Sequence, residues 1–151
     1  MAKVKVNKGM AEFWNAPEEW RDVVGYEGKY EVSNFGEVRR ILKDGETRLM
    51  SLNGNEFYND HVSVCLTKNG VNKTIGAHRL VAEAFIPIPK KYKGKAYKGK
   101  QIDVDHFDED KTNNCVLNLQ WIPHSLNVKR SIEFKKAREK YTGYRTKEDL
   151  R

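Results

Sequence analysis

Four polar residues in the second half of the chain have the types and the spacing of a small hydrolytic site. Asp105 and His106 are adjacent, Asn118 follows a turn-rich segment, and Asn127 lies further along the chain. A phosphodiester resists hydrolysis because its negative charge repels nucleophiles. Its cleavage therefore needs a base that deprotonates water and a divalent cation that neutralises the phosphate and the leaving oxygen. His106 can be that base and Asp105 a ligand of the cation, so the pattern indicates metal-assisted phosphodiester hydrolysis.

Asp105 and His106 are adjacent in sequence, so the backbone must meet one condition if both side chains are to lie in one site. Side chains of neighbouring strand residues point to opposite faces, so Asp105 and His106 share a site only if the strand ends or bulges there. The turn-rich sequence after them agrees with this condition. Taken alone, an Asp-His pair is more often a structural hydrogen bond than a catalytic pair, so both interpretations are open for these two residues.

The first half of the chain predicts two short hairpins. The first spans residues 30–41, where apolar and polar residues alternate around turn chemistry at residues 33–36. The second spans residues 61–75, where Asn69 and Gly70 supply the two positive-φ positions of a tight turn. Residues 1–17 show no clear hydrophobic periodicity and are predicted to form a loosely held arm.

The second half predicts the elements that position the candidate site. Residues 77–85 have the period of a short amphipathic helix, which Pro87 ends. Residues 90–100 hold six lysines and no acid, a composition typical of a loop. The site itself is predicted on two strands and a basic helix, at residues 102–106, 119–122 and 125–140, with Ser125 as the helix cap.

Composition and charge narrow the class of protein. The 151 residues suit one domain or two very small ones, and the net charge of +7 lies entirely in residues 76–151. Such an asymmetry indicates a polyanionic partner. No stretch approaches the roughly 18 apolar residues of a spanning helix, and the first residues lack the apolar run of a secretory signal. Cys65 and Cys115 stand alone, so we expect both to be reduced and inert.

The chemistry-bearing segments resemble a known motif. Their order resembles the HNH nuclease motif of phage and intron homing endonucleases, which is carried here by Val104-Asp105-His106, by Asp110-Lys111-Thr112-Asn113-Asn114, by Asn118-Leu119-Gln120-Trp121 and by Asn127. The preceding segment, residues 78–87, is similar to the helix that introduces this motif. Residues 20–38 resemble the modular DNA-binding motif often found N-terminal to these nucleases. Two motifs in the expected order favour catalysis over a structural Asp-His pair.

The resemblance implies a role for each residue of the motif. It implies a ββα-metal nuclease core in which His106 is the general base and Asp105 and Asn127 bind one divalent cation. Asn118 would hold the loop by hydrogen bonds to the backbone and so orient the His106 ring. This chain departs from the motif of many relatives at two positions. The final position of the motif is Asn127, whose hard amide oxygen favours Mg²⁺ or Mn²⁺. In the loop, Glu109 occupies a position where relatives often have glycine. If that position has a positive φ, Glu109 is strained by roughly 1 kcal/mol or more.

The other polar residues near the motif have simpler interpretations. His78 is expected to pack on its helix or to contact a phosphate, and His61 and His124 are expected at the surface or near DNA without a catalytic part. Asn113 and Asn114 are expected to shape the loop. The aromatic residues Trp20, Tyr26 and Tyr30 are more often a small core than a base-stacking platform.

The basic residues around the site predict a grip on double-stranded DNA. Phosphate contacts of this kind position a duplex without reading its sequence, so base reading is assigned to the N-terminal hairpins. Relatives often add a helix-turn-helix after the nuclease, and a chain that ends at Arg151 leaves no room for one, so we expect limited site specificity. The predicted DNA-binding residues are Arg79, Lys90, Lys91, Lys93, Lys129, Arg130, Lys135 and Lys136.

The sequence therefore predicts an α+β protein with N-terminal β hairpins, an HNH core and a basic C-terminal helix. Its expected function is metal-dependent DNA endonuclease in the cytoplasm, encoded by a bacterial host or by a phage. The sequence leaves the oligomeric state open and slightly favours a monomer. The alternative is a catalytically inactive DNA-binding module on the same fold. An RNA-binding protein with stacked aromatics is weaker, because no RNA-binding signature is present. The predicted segments are residues 1–17 (arm), 18–75 (DNA-binding motif), 76–131 (nuclease core) and 132–151 (basic helix and tail).

Overall fold

A computed structural model describes residues 17–54 and 60–142, with side chains described as far as residue 137. The predicted arm, apart from Pro17, and the last residues of the basic tail lie outside the described residues. The described chain forms two compact units. The first comprises residues up to 89 together with 104–121, and the second comprises residues 90–103 together with those from 122 onward. The boundaries proposed from the sequence stay a prediction.

Within the described residues the chain forms eight strands and two α-helices. The strands are β1 (Trp20–Asp22), β2 (Tyr30–Ser33), β3 (Val38–Ile41), β4 (Thr47–Leu49), β5 (Ser63–Lys68), β6 (Val71–Gly76), β7 (Ile102–His106) and β8 (Leu119–Pro123). The helices are α1 (Ala77–Phe85) and α2 (His124–Thr142). This composition, with its N-terminal β hairpins and its C-terminal helix, confirms the α+β class.

The first hairpin is part of a larger sheet than the sequence predicts. Strands β1 to β4 form an antiparallel sheet in chain order, with Val32 opposite Val38 and Arg40 opposite Arg48. The predicted hairpin is its central pair, β2 and β3, and its turn contains Gly36 at φ +90°. The two outer strands were not predicted, because strands of three mostly exposed residues carry no apolar alternation.

The second predicted hairpin is confirmed. Strands β5 and β6 pair antiparallel from Ser63 opposite Gly76 to Lys68 opposite Val71. Asn69 and Gly70 form the turn with φ of +52° and +75°, the left-handed region that a tight hairpin requires.

Helix α1 packs on the sheets of the first unit. It spans the predicted residues, contacts β1, β2 and β6, and buries Leu80 and Val81. Each buried Val or Leu side chain contributes about 1.5–3 kcal/mol. The indole Nε1 of Trp121 donates to the carbonyl of Ile86 at 2.7 Å, which holds the end of the helix against β8.

Strands β7 and β8 form a two-stranded antiparallel sheet. In the first unit the Phe107 N–H donates to the Asn118 carbonyl at 2.9 Å, and in the second the His124 N–H donates to the Gln101 carbonyl at 3.0 Å. These bonds flank the two strands predicted for the site. The lysine-rich segment before β7 contains two 3₁₀ turns, Lys90–Tyr92 and Lys95–Tyr97, where the sequence predicts only loop.

Helix α2 begins one residue earlier than predicted. It starts at His124, so Ser125 lies in its first turn and is not the cap. Pro123, the last residue of β8, directly precedes this start.

The two cysteines are free thiols in different environments. Cys65 is exposed, whereas Cys115 is buried and its pKa is raised by burial to about 12. A buried thiol of this kind is inert. Within residues 17–54 and 60–142, no helix combines the length and the apolar composition that a membrane crossing requires.

Candidate active site

His106 is the last residue of β7 and lies in the first compact unit. The residue is 4% exposed, and its ring Nε2 lies 2.8 Å from Oδ1 of Asn114. The Glu109 N–H donates to the His106 carbonyl at 3.0 Å, so the chain turns directly after this residue. The strand therefore ends at the Asp-His pair, which is one of the two conditions under which adjacent residues can serve one site.

Asp105 precedes the base on β7 and is also buried. Its side chain faces a partner from β8, since Nε2 of Gln120 donates to Asp105 Oδ2 at 2.9 Å. A carboxylate that is 5% exposed is costly unless it is hydrogen-bonded or bound to a cation. Gln120 supplies one such bond, and the sequence did not predict this contact.

The loop between β7 and β8 is organised around Asp108. Its Oδ1 accepts from Nδ2 of Asn118 and from the Asp110 N–H, and its Oδ2 accepts from Nδ2 of Asn113. Asn118 is fully buried; it also donates to the Asn113 carbonyl at 2.9 Å and accepts from the Asp108 N–H at 3.3 Å. Both polar atoms of the Asn118 amide, the nitrogen and the oxygen, are therefore bonded to this loop. Asn114 bonds to the His106 ring, whereas the sequence assigned the orienting effect to Asn118.

Glu109 occupies the left-handed region of the loop. Its φ is +60°, so the positive φ considered from the sequence is present at a residue that is not glycine. Such a conformation costs about 1 kcal/mol or more and persists because the surrounding hydrogen bonds determine it. Asp110 contributes to them, since its Oδ1 accepts from the N–H and the hydroxyl of Thr112 at 3.0 and 2.6 Å.

Three histidine rings lie together at the candidate base. His78 on α1 stacks on His61 with 4.7 Å between ring centroids, and its centroid lies 5.3 Å from that of His106. The centroids of His61 and His106 are 5.8 Å apart. His61 and His78, expected at a surface and on a helix, thus lie beside the catalytic candidate. They are separated from it by long stretches of sequence, so no local signal could have placed them there.

Desolvation is the largest influence on the pKa of two of these rings. Burial lowers the pKa of His106, and the Asn114 hydrogen bond and the nearby carboxylates, that of Asp108 foremost, act in the opposite direction. The pKa of His61 is lowered by desolvation first, and then by the positive charges of Lys111 and His106. Both shifts favour the neutral imidazole, which is the form that can accept a proton.

Asn127 lies in the second compact unit, in the first half of α2. Its Nδ2 donates to Oδ2 of Asp103 at 3.1 Å, and the same oxygen bonds to Nδ1 of His124. Burial raises the pKa of Asp103, but the bonds from His124, Asn127 and Gln101 outweigh this effect and lower it. The amide nitrogen of Asn127 thus donates to this carboxylate, and the amide oxygen is the acceptor atom of the side chain. Asp103 was missed in the sequence, where its only signal is the alternation with Asp105 along β7.

The predicted DNA-binding residues lie on the surfaces of both units. Arg79 on α1 bonds Glu83 at 3.1 Å, and its guanidinium lies 5.8 Å from the Trp121 ring centroid. In the second unit Lys91 lies over the Tyr92 ring at 4.9 Å. The exposed lysines of that unit are Lys90, Lys91, Lys93, Lys129, Lys135 and Lys136, and Arg130 is half-buried.

Among the described residues no group of three or more His, Cys, Asp or Glu side chains could hold a metal ion. The oxygens of Asp105 and Asn127 are hard donors of the kind that Mg²⁺ and Mn²⁺ prefer.

Comparison with known proteins matches both segments of the chain. Residues 18–70 match the model of the NUMOD4 motif, and residues 76–129 match the HNH endonuclease family model. The DNA endonuclease I-HmuI of Bacillus phage SP01 is 37% identical over 114 residues, which are 76% of this chain and 58% of that protein. The uncharacterized HNH endonuclease L245 of Acanthamoeba polyphaga mimivirus is 31% identical over 113 residues, which are 75% of this chain and 29% of that protein.

A solved structure agrees with these matches. It describes DNA binding and cleavage by the HNH homing endonuclease I-HmuI, and it matches with a TM-score of 0.58 and 35% identity over 78% of this chain and 59% of that one. The chain therefore spans a little under three fifths of the length of the phage relative.

Proposed function

Because the chain belongs to the HNH endonuclease family, we propose that it is a metal-dependent endonuclease that hydrolyses phosphodiester bonds in double-stranded DNA. The observation that supports this most is the buried imidazole of His106 at the end of β7. It lies next to Asp105 and is bonded to an amide of the same loop. A buried neutral imidazole with a fixed orientation is what general-base catalysis needs.

His106 is the residue that takes the proton from the attacking water. Asn118 acts at a distance from the reacting atoms, because its bonds to Asp108 and Asn113 hold the loop that follows the base. The products expected from such hydrolysis are a 5′-phosphate and a 3′-hydroxyl. Whether one strand or both strands are cut is decided by the experiment below.

Asp105 and Asn127 would hold one divalent cation, Mg²⁺ or Mn²⁺. The donor set fits such a cation, because Mg²⁺ in proteins is usually bound through one or two side-chain oxygens and keeps several waters. Gln120 orients the Asp105 carboxylate, and Asp103 orients the Asn127 amide. When bound, the cation neutralises charge on the phosphate and on the leaving 3′ oxygen.

The exposed lysines would bind the phosphate backbone. Lys90, Lys91 and Lys93 precede β7, and Lys129, Lys135 and Lys136 lie on α2, together with the half-buried Arg130. Contacts of this kind hold a duplex in any sequence and weaken with salt. They support double-stranded DNA as the substrate.

Plasmid cleavage tests the proposal. Purified protein with supercoiled plasmid and Mg²⁺ should produce nicked circles if one strand is cut and linear DNA if both are cut, and a chelator should stop the reaction. His106→Ala is the control against a contaminating nuclease. Binding of DNA without cleavage under any divalent cation would favour the inactive DNA-binding module instead.

A further inference from the structure

The turn between β2 and β3 reaches the catalytic loop within the first compact unit. Gly36 in this turn is buried at φ +90°, and a Cβ on it would lie 2.9 Å from Cβ and 3.1 Å from the carbonyl oxygen of Asn114. Two residues further along the loop, the Val116 N–H donates to the carbonyl of Asn34 at 2.9 Å. A turn of the NUMOD4 segment therefore packs directly against the HNH loop.

Asn114 is the residue that transmits this contact to the candidate base. It is 5% exposed, and its Oδ1 lies 2.8 Å from Nε2 of His106. An amide oxygen can only accept a hydrogen bond, so the Nε2 atom in this bond carries the proton. In the neutral ring the lone pair that accepts a further proton then lies on Nδ1.

We propose that Asn114, braced by Gly36, is a positioning residue that holds His106 in the Nε2–H tautomer, so that Nδ1 is the nitrogen that acts as base. The assignment of His106 as base rests on the proposed function, whereas the tautomer itself does not. The NUMOD4 segment then helps to build the nuclease site, in addition to any contact that it makes with DNA.

The neighbouring asparagine provides a matched comparison. Asn113 is as buried as Asn114 and lies in the same loop, but its amide donates to Asp108 Oδ2. Loss of Asn113 should therefore disturb the loop without removing the acceptor for His106 Nε2. Loss of Asn114 removes that acceptor.

Nitrogen-15 NMR of the histidine rings in the full chain tests the tautomer without DNA or cleavage. Spectra are recorded in alkaline buffer, where the rings are neutral, and His106 is assigned by the loss of its signals in His106→Gln. The wild type should show the Nε2–H pattern for His106. Asn114→Ala should shift it toward the Nδ1–H form, whereas Asn113→Ala should not. Asn114→Asp keeps an acceptor oxygen and should retain the wild-type tautomer.

The brace is tested by a pair of glycine substitutions. Gly36 and Gly45 both lie in turns of the same sheet with φ near +90°, but a Cβ on Gly45 meets nothing within 4 Å. Both alanine variants carry the same backbone strain, and only Gly36→Ala pushes on Asn114. Gly36→Ala should change the His106 tautomer signal and lower kcat by roughly tenfold or more with KM for DNA unchanged, relative to Gly45→Ala.

The results separate this proposal from the proposed function. A wild type that shows the Nε2–H tautomer and cleaves no DNA would refute the nuclease and leave the positioning by Asn114 standing. An Nδ1–H tautomer in the wild type, or an unchanged tautomer in Asn114→Ala, overturns the proposal even if the protein cleaves DNA. If Gly36→Ala does not fold, the Asn114→Ala and Asn114→Asp pair still decides it.

Discussion

Replacement of Asn118 by alanine is a quantitative test of the catalytic loop. The side chain is fully buried, and its Nδ2 donates to the Asp108 carboxylate and to the Asn113 carbonyl, each at 2.9 Å. A hydrogen bond to a charged group contributes about 1.5–3 kcal/mol and a neutral one about 0.5–1.5 kcal/mol. The third bond, from the Asp108 N–H at 3.3 Å, is long and adds little.

Asn118→Ala should therefore lower the free energy of unfolding by about 2–4.5 kcal/mol. Urea denaturation with linear extrapolation measures this loss, and an unchanged slope would show that the unfolded state is not altered. Asn118→Asp should cost at least as much, because it replaces a donating amide by a second carboxylate facing Asp108. Cleavage should also slow in both variants under conditions where they remain folded.

Asn72→Ala is the matched control. Asn72 is exposed and accepts one hydrogen bond, from the Thr67 hydroxyl at 2.7 Å. Its loss should change the free energy of unfolding by about 0.5 kcal/mol or less. A loss below about 1 kcal/mol for Asn118→Ala, similar to that of the control, would refute the view that this amide holds the loop.

Three further predictions concern catalysis and binding. His106→Ala should lower the single-turnover cleavage rate by roughly 10²- to 10⁴-fold with little change in DNA affinity, and near-normal cleavage would remove His106 from the mechanism. Asp105→Ala should weaken the binding of Mg²⁺ or Mn²⁺ in calorimetry while Asn127→Asp retains or tightens it; unchanged affinity in Asp105→Ala would show that the ligand assignment is wrong. Replacing the α2 lysines with glutamine, at positions 129, 135 and 136, should flatten the slope of log affinity against log salt by roughly two to three, since each phosphate contact contributes about 0.9. Arginine at the same positions should keep the slope, and an unchanged slope in the glutamine variant would exclude a phosphate-binding role for this helix.

Local sequence patterns were sufficient to predict the helices and strands that have a strong hydrophobic periodicity. The residues of α1 were predicted from four apolar positions on one helical face, and the β5–β6 hairpin from alternation around Asn69 and Gly70. The motif that carries Asp105 and His106 was recognised for the same reason, because its residue types follow one another at short spacing. Strands β1 and β4 were missed, since three mostly exposed residues form a strand only through pairing with a neighbour.

Only the tertiary structure decided which side chains surround the base. His61 and His78 reach His106 from distant positions, and Gly36 reaches Asn114 from a different sheet. The sequence could not tell which asparagine of the loop bonds to the His106 imidazole. These asparagines have the same side-chain amide and differ only in the direction in which the folded loop points it. Residue types and their order thus determined the chemistry available to this protein. Contacts between segments far apart in the chain decided how that chemistry is oriented, because a hydrogen bond depends on distance and angle, which no local pattern records.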